Sequence, residues 1–292
     1  MSETAKKTIL VTGGAGFIGS HLIEKLVQDE DNIVVSLDNY FTGSKDNHIA
    51  GATYIEGHTK DIAKLIDFAP DLVFHLGEYS RVEQSFDDLQ IVWESNKNGT
   101  FAVLEFCRKH NTKIVYAGSS TKFGDGGLGR DQSPYAWTKA TNTELVRNYG
   151  TWFGIKYAIT YFYNVYGPRE ISTGPYATLI AIFKNKFKNN EPLTIVAPGT
   201  QVRNFTHVDD IVRGLILIGE KGEGDDYGLG AEEGYSILNI AKIFGGEVAM
   251  LPERKGNRMG APVDSARPRN ELGWCAEKRI EDHIKEFVKN NS

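Results

Sequence analysis

Near its start the chain runs from a short apolar segment, Thr8-Ile-Leu-Val-Thr12, straight into Gly13-Gly-Ala-Gly16-Phe17-Ile18-Gly19-Ser. β-Branched residues favour a strand, and the glycine spacing suits a tight turn that opens a helix. Glycine is needed where a Cβ would keep a pyrophosphate away, and the first turn of the helix offers free N–H groups to an anion. A second predicted strand, Ile33–Leu37, ends in Asp38-Asn39, with Asp38 nineteen residues beyond Gly19. A carboxylate at that place accepts hydrogen bonds from ribose hydroxyls and repels a 2′-phosphate. This spacing predicts NAD rather than NADP, bound by Gly13, Gly16, Phe17, Ile18, Gly19, Asp38 and Asn39.

Further strands are predicted at Thr53–Glu56, Leu72–His75, Lys113–Ala117 and Tyr157–Phe162, alternating with helices at 17–29, 61–68, 86–110 and 135–153. Such alternation implies an α/β fold, a doubly wound parallel sheet of the Rossmann kind with helices on both faces. After residue 165 the rhythm breaks, as Gly167-Pro168, Gly174-Pro175, Pro192 and Pro198-Gly199 shorten the segments. We read 1–165 as the NAD-binding domain, with 202–235 returning to it. The stretches 166–201 and 236–292 then form a smaller C-terminal substrate-binding lobe.

Bulk properties narrow the partners. The formal charge is −5, from 33 basic and 38 acidic residues, which argues against nucleic acid or an anionic membrane surface. No apolar run reaches the ~18 residues of a membrane span, and the N-terminus has no signal-peptide core, so a cytoplasmic location is expected. Cys107 and Cys275 have neither a CxxC partner nor zinc-type spacing; two buried thiols are expected, and no metal site.

A reactive pair follows. In Ser133-Pro134-Tyr135-Ala-Trp-Thr-Lys139, Ser133 suits an N-cap and Pro134 the first helical position. Tyr135 and Lys139 then lie one turn apart on one face. An ammonium there stabilises a phenolate and draws the tyrosine toward working pH, although the spacing by itself is common on helix surfaces. The strand before it ends in Ser119-Ser120-Thr121, which brings a hydroxyl toward the same cleft.

Together these motifs resemble the extended short-chain dehydrogenase/reductase family, in particular its nucleotide-sugar epimerases and dehydratases. The resemblance runs nearly end to end through GGAGFIGS, LDNYFTGS, HLGEYSRVEQS, SNKNGT, YAGSS, SPYAWTK, YFYNVYGPR, VRNFTHVDD and the closing Arg254-x-Gly256, Asp264 and LGW. It implies that Tyr135 is the base for a sugar hydroxyl, that Lys139 tunes it and holds the nicotinamide ribose, and that Ser119 orients the hydroxyl. It places Asn96 near the nicotinamide, Asn164 on the sugar diphosphate, and Arg203 and Arg254 against phosphate. Bidentate, permanently charged guanidinium groups suit that last task. A homodimer through the long helices at 86–110 and 135–153 is also implied.

Within that family a dehydratase carries an acid/base pair directly after the catalytic hydroxyl residue, where this chain has Ser120 and Thr121. Neither can supply a carboxylate for elimination of water, and Glu78, on another loop, reads as a polar loop residue. A 4-epimerase is therefore expected, oxidising the sugar at carbon 4 and returning hydride to the opposite face. Ala261, where glucose/galactose-restricted epimerases tend to carry a bulky Tyr, implies room for a 2-acetamido group. The competing readings are a net oxidoreductase, a dehydratase and an inactive sensor; intact Ser119, Tyr135 and Lys139 argue against the last. Departures from the family pattern are His58, Tyr161, Ala197-Pro198 and the short loop between Ser119 and Tyr135.

Overall fold

The computed structural model describes residues 6–253, 259–260 and 262–291. In chain order the elements are β1 (Lys7–Thr12), α1 (Phe17–Leu26), β2 (Asn32–Asp38), β3 (Ala52–Glu56), α2 (Ile62–Leu65), β4 (Leu72–His75), α3 (Leu89–Val92), α4 (Gly99–His110) and β5 (Lys113–Ser119). Then come α5 (Pro134–Phe153), β6 (Tyr157–Phe162), β7 (Val165–Tyr166), α6 (Leu179–Lys188), β8 (Leu193–Val196), β9 (Val202–Asn204), β10 (Thr206–His207) and α7 (Val208–Lys221). The chain closes with β11 (Gly224–Leu229), β12 (Gly234–Ser236), α8 (Ile237–Phe244), β13 (Val248–Leu251), α9 (Ala266–Leu272) and α10 (Ile280–Asn291).

Seven parallel strands form the main sheet in the order β3-β2-β1-β4-β5-β6-β11. The chain winds outward from β1 in one direction and then, from β4, in the other. The reversal between β1 and β4 leaves a crevice at the strands' carboxyl ends, the place where such sheets bind ligands.

Helices cover both faces because the sequence puts apolar stripes there. On α7, Val208, Ile211, Val212, Leu215 and Ile218 fall at helical spacing and pack with α1, Trp274 and one face of the sheet. On the other face, Val103, Leu104, Phe106 and Cys107 of α4 meet Val146 and Tyr149 of α5 over Leu10, Val73 and Tyr116. Each fully buried aliphatic or aromatic side chain contributes roughly 1.5–3 kcal/mol. A third core joins Phe183, Leu193, Ile195, Ile240, Phe244 and Ile284, and builds the smaller lobe around α6, α8 and α10.

Several elements differ from expectation. The helix expected over 86–110 is divided into α3, a π-helical stretch Trp93–Asn98, and α4. The wide turn carries Asn96 inward, where its carbonyl accepts a hydrogen bond from the Asn142 side chain at 2.7 Å. The helix expected over 61–68 shrinks to a 3₁₀ turn, Thr59–Asp61, and α2; the chain must be extended before Pro70. Within 202–235, β11 joins the main sheet, whereas β9 pairs with β12 and β10 with β7 in small two-stranded sheets. Cys107 is buried as expected, but Cys275 is exposed, and both are free thiols. Among the described residues no helix is long and apolar enough to cross a membrane.

Candidate active site

A cleft of about 510 Å³ opens at the carboxyl ends of the strands, between the main sheet and the smaller lobe. At one end lies the glycine-rich turn between β1 and α1. Gly13 has φ +75°, and a Cβ on it would stand 2.8 Å from the backbone of Gly77. A Cβ on Gly19 would stand 2.1 Å from the Gly13 carbonyl oxygen. The turn can only be built from residues without side chains at these two places, and α1 starts immediately after it with no side chain capping its N-terminus.

Asp38 ends β2 beside this turn, with one carboxylate oxygen accepting from the Ala15 N–H at 2.9 Å and the other from Tyr40 N–H at 2.8 Å. Burial pushes its carboxyl up against the opposing pull of these two N–H groups. A carboxylate has about four lone-pair sites, so two remain for a ligand's hydroxyls. Phe17, Ile18 and Asn39 line the same end, as does His58, whose Nδ1 accepts from Lys60 N–H at 3.1 Å.

At the middle of the cleft the end of β5 meets the start of α5. Ser133 caps α5 by accepting from Ala136 N–H at 3.1 Å, and Pro134 occupies the first turn. This fixes Tyr135 so that its hydroxyl donates to Ser119 Oγ at 3.1 Å. Ser119 Oγ in turn lies 2.8 Å from the Thr121 hydroxyl. One turn along, the Lys139 ammonium donates to the Ala117 carbonyl and to the Glu78 carboxylate.

Glu78 is the residue that sequence reasoning undervalued. It follows β4 and is almost fully enclosed, its side chain 2% exposed against 7% for Lys139. Besides the ammonium, its carboxylate accepts from Thr100 at 2.7 Å, Asn142 at 3.0 Å and Tyr116 at 3.2 Å. Burial alone would raise this carboxyl, but the Lys139 charge and the hydrogen bonds from Lys139 and Thr100 outweigh it and hold it below the usual range.

The chain of donors continues behind Glu78. Thr100 gives its proton to Glu78, so it accepts from His75 Nε2 at 3.0 Å. Gly77 N–H donates to Thr12 Oγ at 3.0 Å, and Thr12 donates to His75 Nδ1 at 2.7 Å. The network thus assigns a neutral imidazole protonated on Nε2. Burial agrees, since it lowers the His75 pKa to about 4.

Asn164, between β6 and β7, and Arg203, on β9, also line the cleft. Asn164 adopts φ +37° and donates to the Asn204 carbonyl at 3.0 Å; Arg203 donates to the Val202 carbonyl at 2.8 Å. Asn96 stands apart from the cleft. It is completely buried, accepts from Tyr79 N–H at 2.7 Å and donates to Thr138 at 3.0 Å, so it braces the loop after β4 from behind. Arg254 and Ala261 lie outside the described residues. Tyr161, one of the departures from the family pattern, is buried and donates to Asp225 at 2.5 Å, away from the cleft. Two residues that no motif singled out, Arg81 and Glu170, also face the cavity.

Comparison with known proteins agrees with this geometry. The model of the NAD dependent epimerase/dehydratase family matches residues 9–230. A Methanocaldococcus jannaschii protein with a provisional UDP-glucose 4-epimerase name is 33% identical, over 97% of this chain and 99% of its own. The Thermotoga maritima UDP-glucose 4-epimerase, solved with UDP-glucose, superposes with a TM-score of 0.89 at 28% identity, covering 97% of each chain. A Bacillus cereus UDP-glucuronic acid 4-epimerase, solved with UDP-glucuronic acid and NAD, gives 0.84 at 26% identity, covering 97% of this chain and 99% of that one. The glycine turn, the carboxylate ending β2 and the Ser–Tyr–Lys cluster thus occur here in the setting of a known enzyme group, and the chain belongs to the NAD-dependent epimerase/dehydratase family.

Proposed function

We propose that this chain is a nucleotide-sugar 4-epimerase. The observation that carries the reading is the Ser119–Tyr135–Lys139 cluster with hydroxyls, Ser120 and Thr121, directly after Ser119. Tyr135 donates to Ser119 at 3.1 Å, and a sugar hydroxyl entering between them can give its proton to Tyr135 as the carbon–hydrogen bond breaks. Lys139, one helical turn away, stabilises the phenolate form of Tyr135 that accepts this proton. NAD, when bound, accepts the hydride from the sugar carbon and later returns it. In this reading Gly13, Gly16, Phe17, Ile18, Gly19, Asp38 and Asn39 hold that cofactor, and Lys139 keeps one ammonium proton for the nicotinamide ribose. Tyr135 then reprotonates the sugar oxygen.

Elimination of water needs an acid/base pair at the neighbouring carbons. Ser120 and Thr121 are buried hydroxyls, and Thr121 is engaged with Ser119. Glu78, the nearby carboxylate, has its oxygens occupied by four donors and is held ionised. These contacts favour epimerisation over dehydration.

Between oxidation and reduction the keto sugar must present its other face, so the diphosphate needs an anchor independent of the hexose. Asn164 and Arg203 suit that role, with Arg254 as a further proposed phosphate ligand and Ala261 as the proposed site of tolerance for a 2-acetamido group. A homodimer is part of the proposal. Leu89, Trp93, Phe101, Trp152 and Phe153 are all at least 46% exposed on α3, the adjoining turns, α4 and α5. Trp93 stacks with Trp137 at 5.9 Å, and such an apolar face on paired helices suits a second copy.

Proton NMR of the purified protein with nucleotide hexoses, their N-acetyl forms and their uronates, and no added cofactor, tests the reading. Interconversion of a carbon-4 pair is expected. Stoichiometric NADH on adding NAD, with release of a keto sugar, would refute it in favour of net oxidation.

A further inference from the structure

Arg81 lies on the loop after β4 and lines the cleft together with Ser119 and Tyr135. Its Nε and Nη2 donate to the Tyr176 carbonyl at 2.8 and 2.6 Å, and its Nη1 to the Ser80 carbonyl and hydroxyl at 3.0 and 3.1 Å. All of these acceptors are neutral. Four of the five guanidinium N–H groups are thus engaged, and an Nη2 proton remains.

The group is also held in place. Tyr176 hydroxyl donates to Asp88 at 2.7 Å, Tyr79 hydroxyl donates to the same oxygen at 2.7 Å, and Phe41 packs edge-on against Tyr176 at 5.2 Å. A buried-edge cation preorganised by neutral carbonyls has bound its geometry but not its charge, and a charge withdrawn from water demands a counter-charge. Glu170, the acid whose field reaches it, accepts from Gly167 N–H at 2.9 Å and the Thr178 hydroxyl at 2.6 Å rather than from the guanidinium. Burial lowers the Arg81 pKa, with the charges of Tyr135, Tyr79 and Glu170 opposing it.

We propose that Arg81 pairs with a carboxylate carried by the hexose, so that the sugar of this enzyme is a uronate. The inference rests on the 4-epimerase reading and deepens it. In that reading Asn164 and Arg203 serve the diphosphate, which leaves Arg81 a different anion. Carbon 5, the neighbour of the carbon whose hydroxyl meets Tyr135, is where a uronate bears its carboxylate and a neutral hexose only a hydroxymethyl group. The remaining Nη2 proton can give a carboxylate one charge-assisted hydrogen bond, whereas the hydroxymethyl leaves the guanidinium unneutralised.

The test is titration calorimetry on the full-length, NAD-loaded protein in a Tyr135→Phe background, where turnover does not intervene. The probes are UDP, UDP-glucose and UDP-glucuronate. Uridine is chosen because both solved neighbours described above hold UDP-sugars. UDP-glucuronate is expected to bind at least about tenfold more tightly than UDP-glucose, the scale of a hydrogen-bonded charge pair. Adding Arg81→Gln is expected to erase that preference while leaving UDP and UDP-glucose within about threefold, and Arg81→Lys to restore part of it. Equal affinity for the two sugars overturns the proposal. So does an Arg81→Gln loss shared equally by UDP, which assigns Arg81 to the diphosphate. A preference for the uronate without carbon-4 interconversion by the wild type would retain Arg81 as a carboxylate reader and sink the epimerase reading. No binding by any probe overturns both.

Discussion

Replacing Glu78 by Gln isolates the least expected feature of the site, a carboxylate enclosed with the Lys139 ammonium. The substitution keeps the shape and leaves an amide oxygen to accept from Thr100, Tyr116 and Asn142. What it removes is the negative charge facing Lys139. Both side chains are at least 93% enclosed, so water cannot replace the lost partner. Stranding one member of a buried pair costs about 3–5 kcal/mol, and the retained hydrogen bonds put this case near the lower end. For a chain of this size each kcal/mol lowers the midpoint by roughly 2 °C, so thermal unfolding is expected about 6 °C earlier.

The decisive measurement is a double-mutant cycle by thermal and urea unfolding with Lys139→Met. Each single change strands a charge, whereas the pair of changes strands none. Glu78→Gln/Lys139→Met should therefore be more stable than either single variant, with a coupling of about 2–3 kcal/mol. Additive losses, or a Glu78→Gln midpoint within about 1 °C of wild type, would refute the account of a buried, ionised pair.

The remaining predictions use the same contacts. Stability should fall as pH drops from about 6.5 toward about 4, because His75 is neutral in the fold while the unfolded chain takes up a proton in that window; urea midpoints across pH should show a loss of up to about 3 kcal/mol that His75→Gln flattens. Glu78 adds a separate loss below its ordinary value of 4.5, since its folded-state pKa is depressed and its contribution is present only above that range. Gly13→Ala forces a side chain into φ +75° and against Gly77, so NAD affinity measured by fluorescence should drop at least tenfold. Tyr135→Phe should cut turnover by about 10²–10⁴ with NAD retention unchanged, and Ser119→Ala by a smaller factor. Phe101→Arg, at a position 53% exposed on α4, should shift sedimentation toward monomer while leaving the melting midpoint within about 2 °C.

Much of the fold could be read because its signals are local. β-Branched runs bounded by glycine, the glycine turn that opens α1, and the Ser133-Pro134 start of α5 all depend on neighbours in sequence. The π-helical stretch at Trp93–Asn98 could not be read that way. It exists because Asn96 must turn inward to meet Tyr79 and Asn142, 17 and 46 residues away. Ser119, Tyr135 and Lys139 were recognisable from spacing and resemblance, but their surroundings were not. Nothing in His75-Leu-Gly-Glu78 announces that the carboxylate will be enclosed by side chains from α4, β5 and α5.

Glu78, read from sequence as a polar loop residue, and Arg81 sit on one loop within the HLGEYSRVEQS segment, and both break the expectation that ionised groups avoid enclosure. They break it differently. Glu78 has its counter-charge inside the protein, which makes it a fixed part of the apparatus that holds Lys139. Arg81 has geometry from Tyr176 and Ser80 but no counter-charge from them, so its electrostatic requirement points outward into the cleft. Removing Glu78 should therefore change stability and pH dependence with every substrate, while removing Arg81 should change the ranking of substrates. In the proposed reading this loop delivers one charge to Lys139 and another to the ligand, and so couples the chemistry of the reaction to the identity of the sugar. The same short segment after β4 then explains why resemblance alone, which matched the Ser–Tyr–Lys cluster, left the substrate undefined.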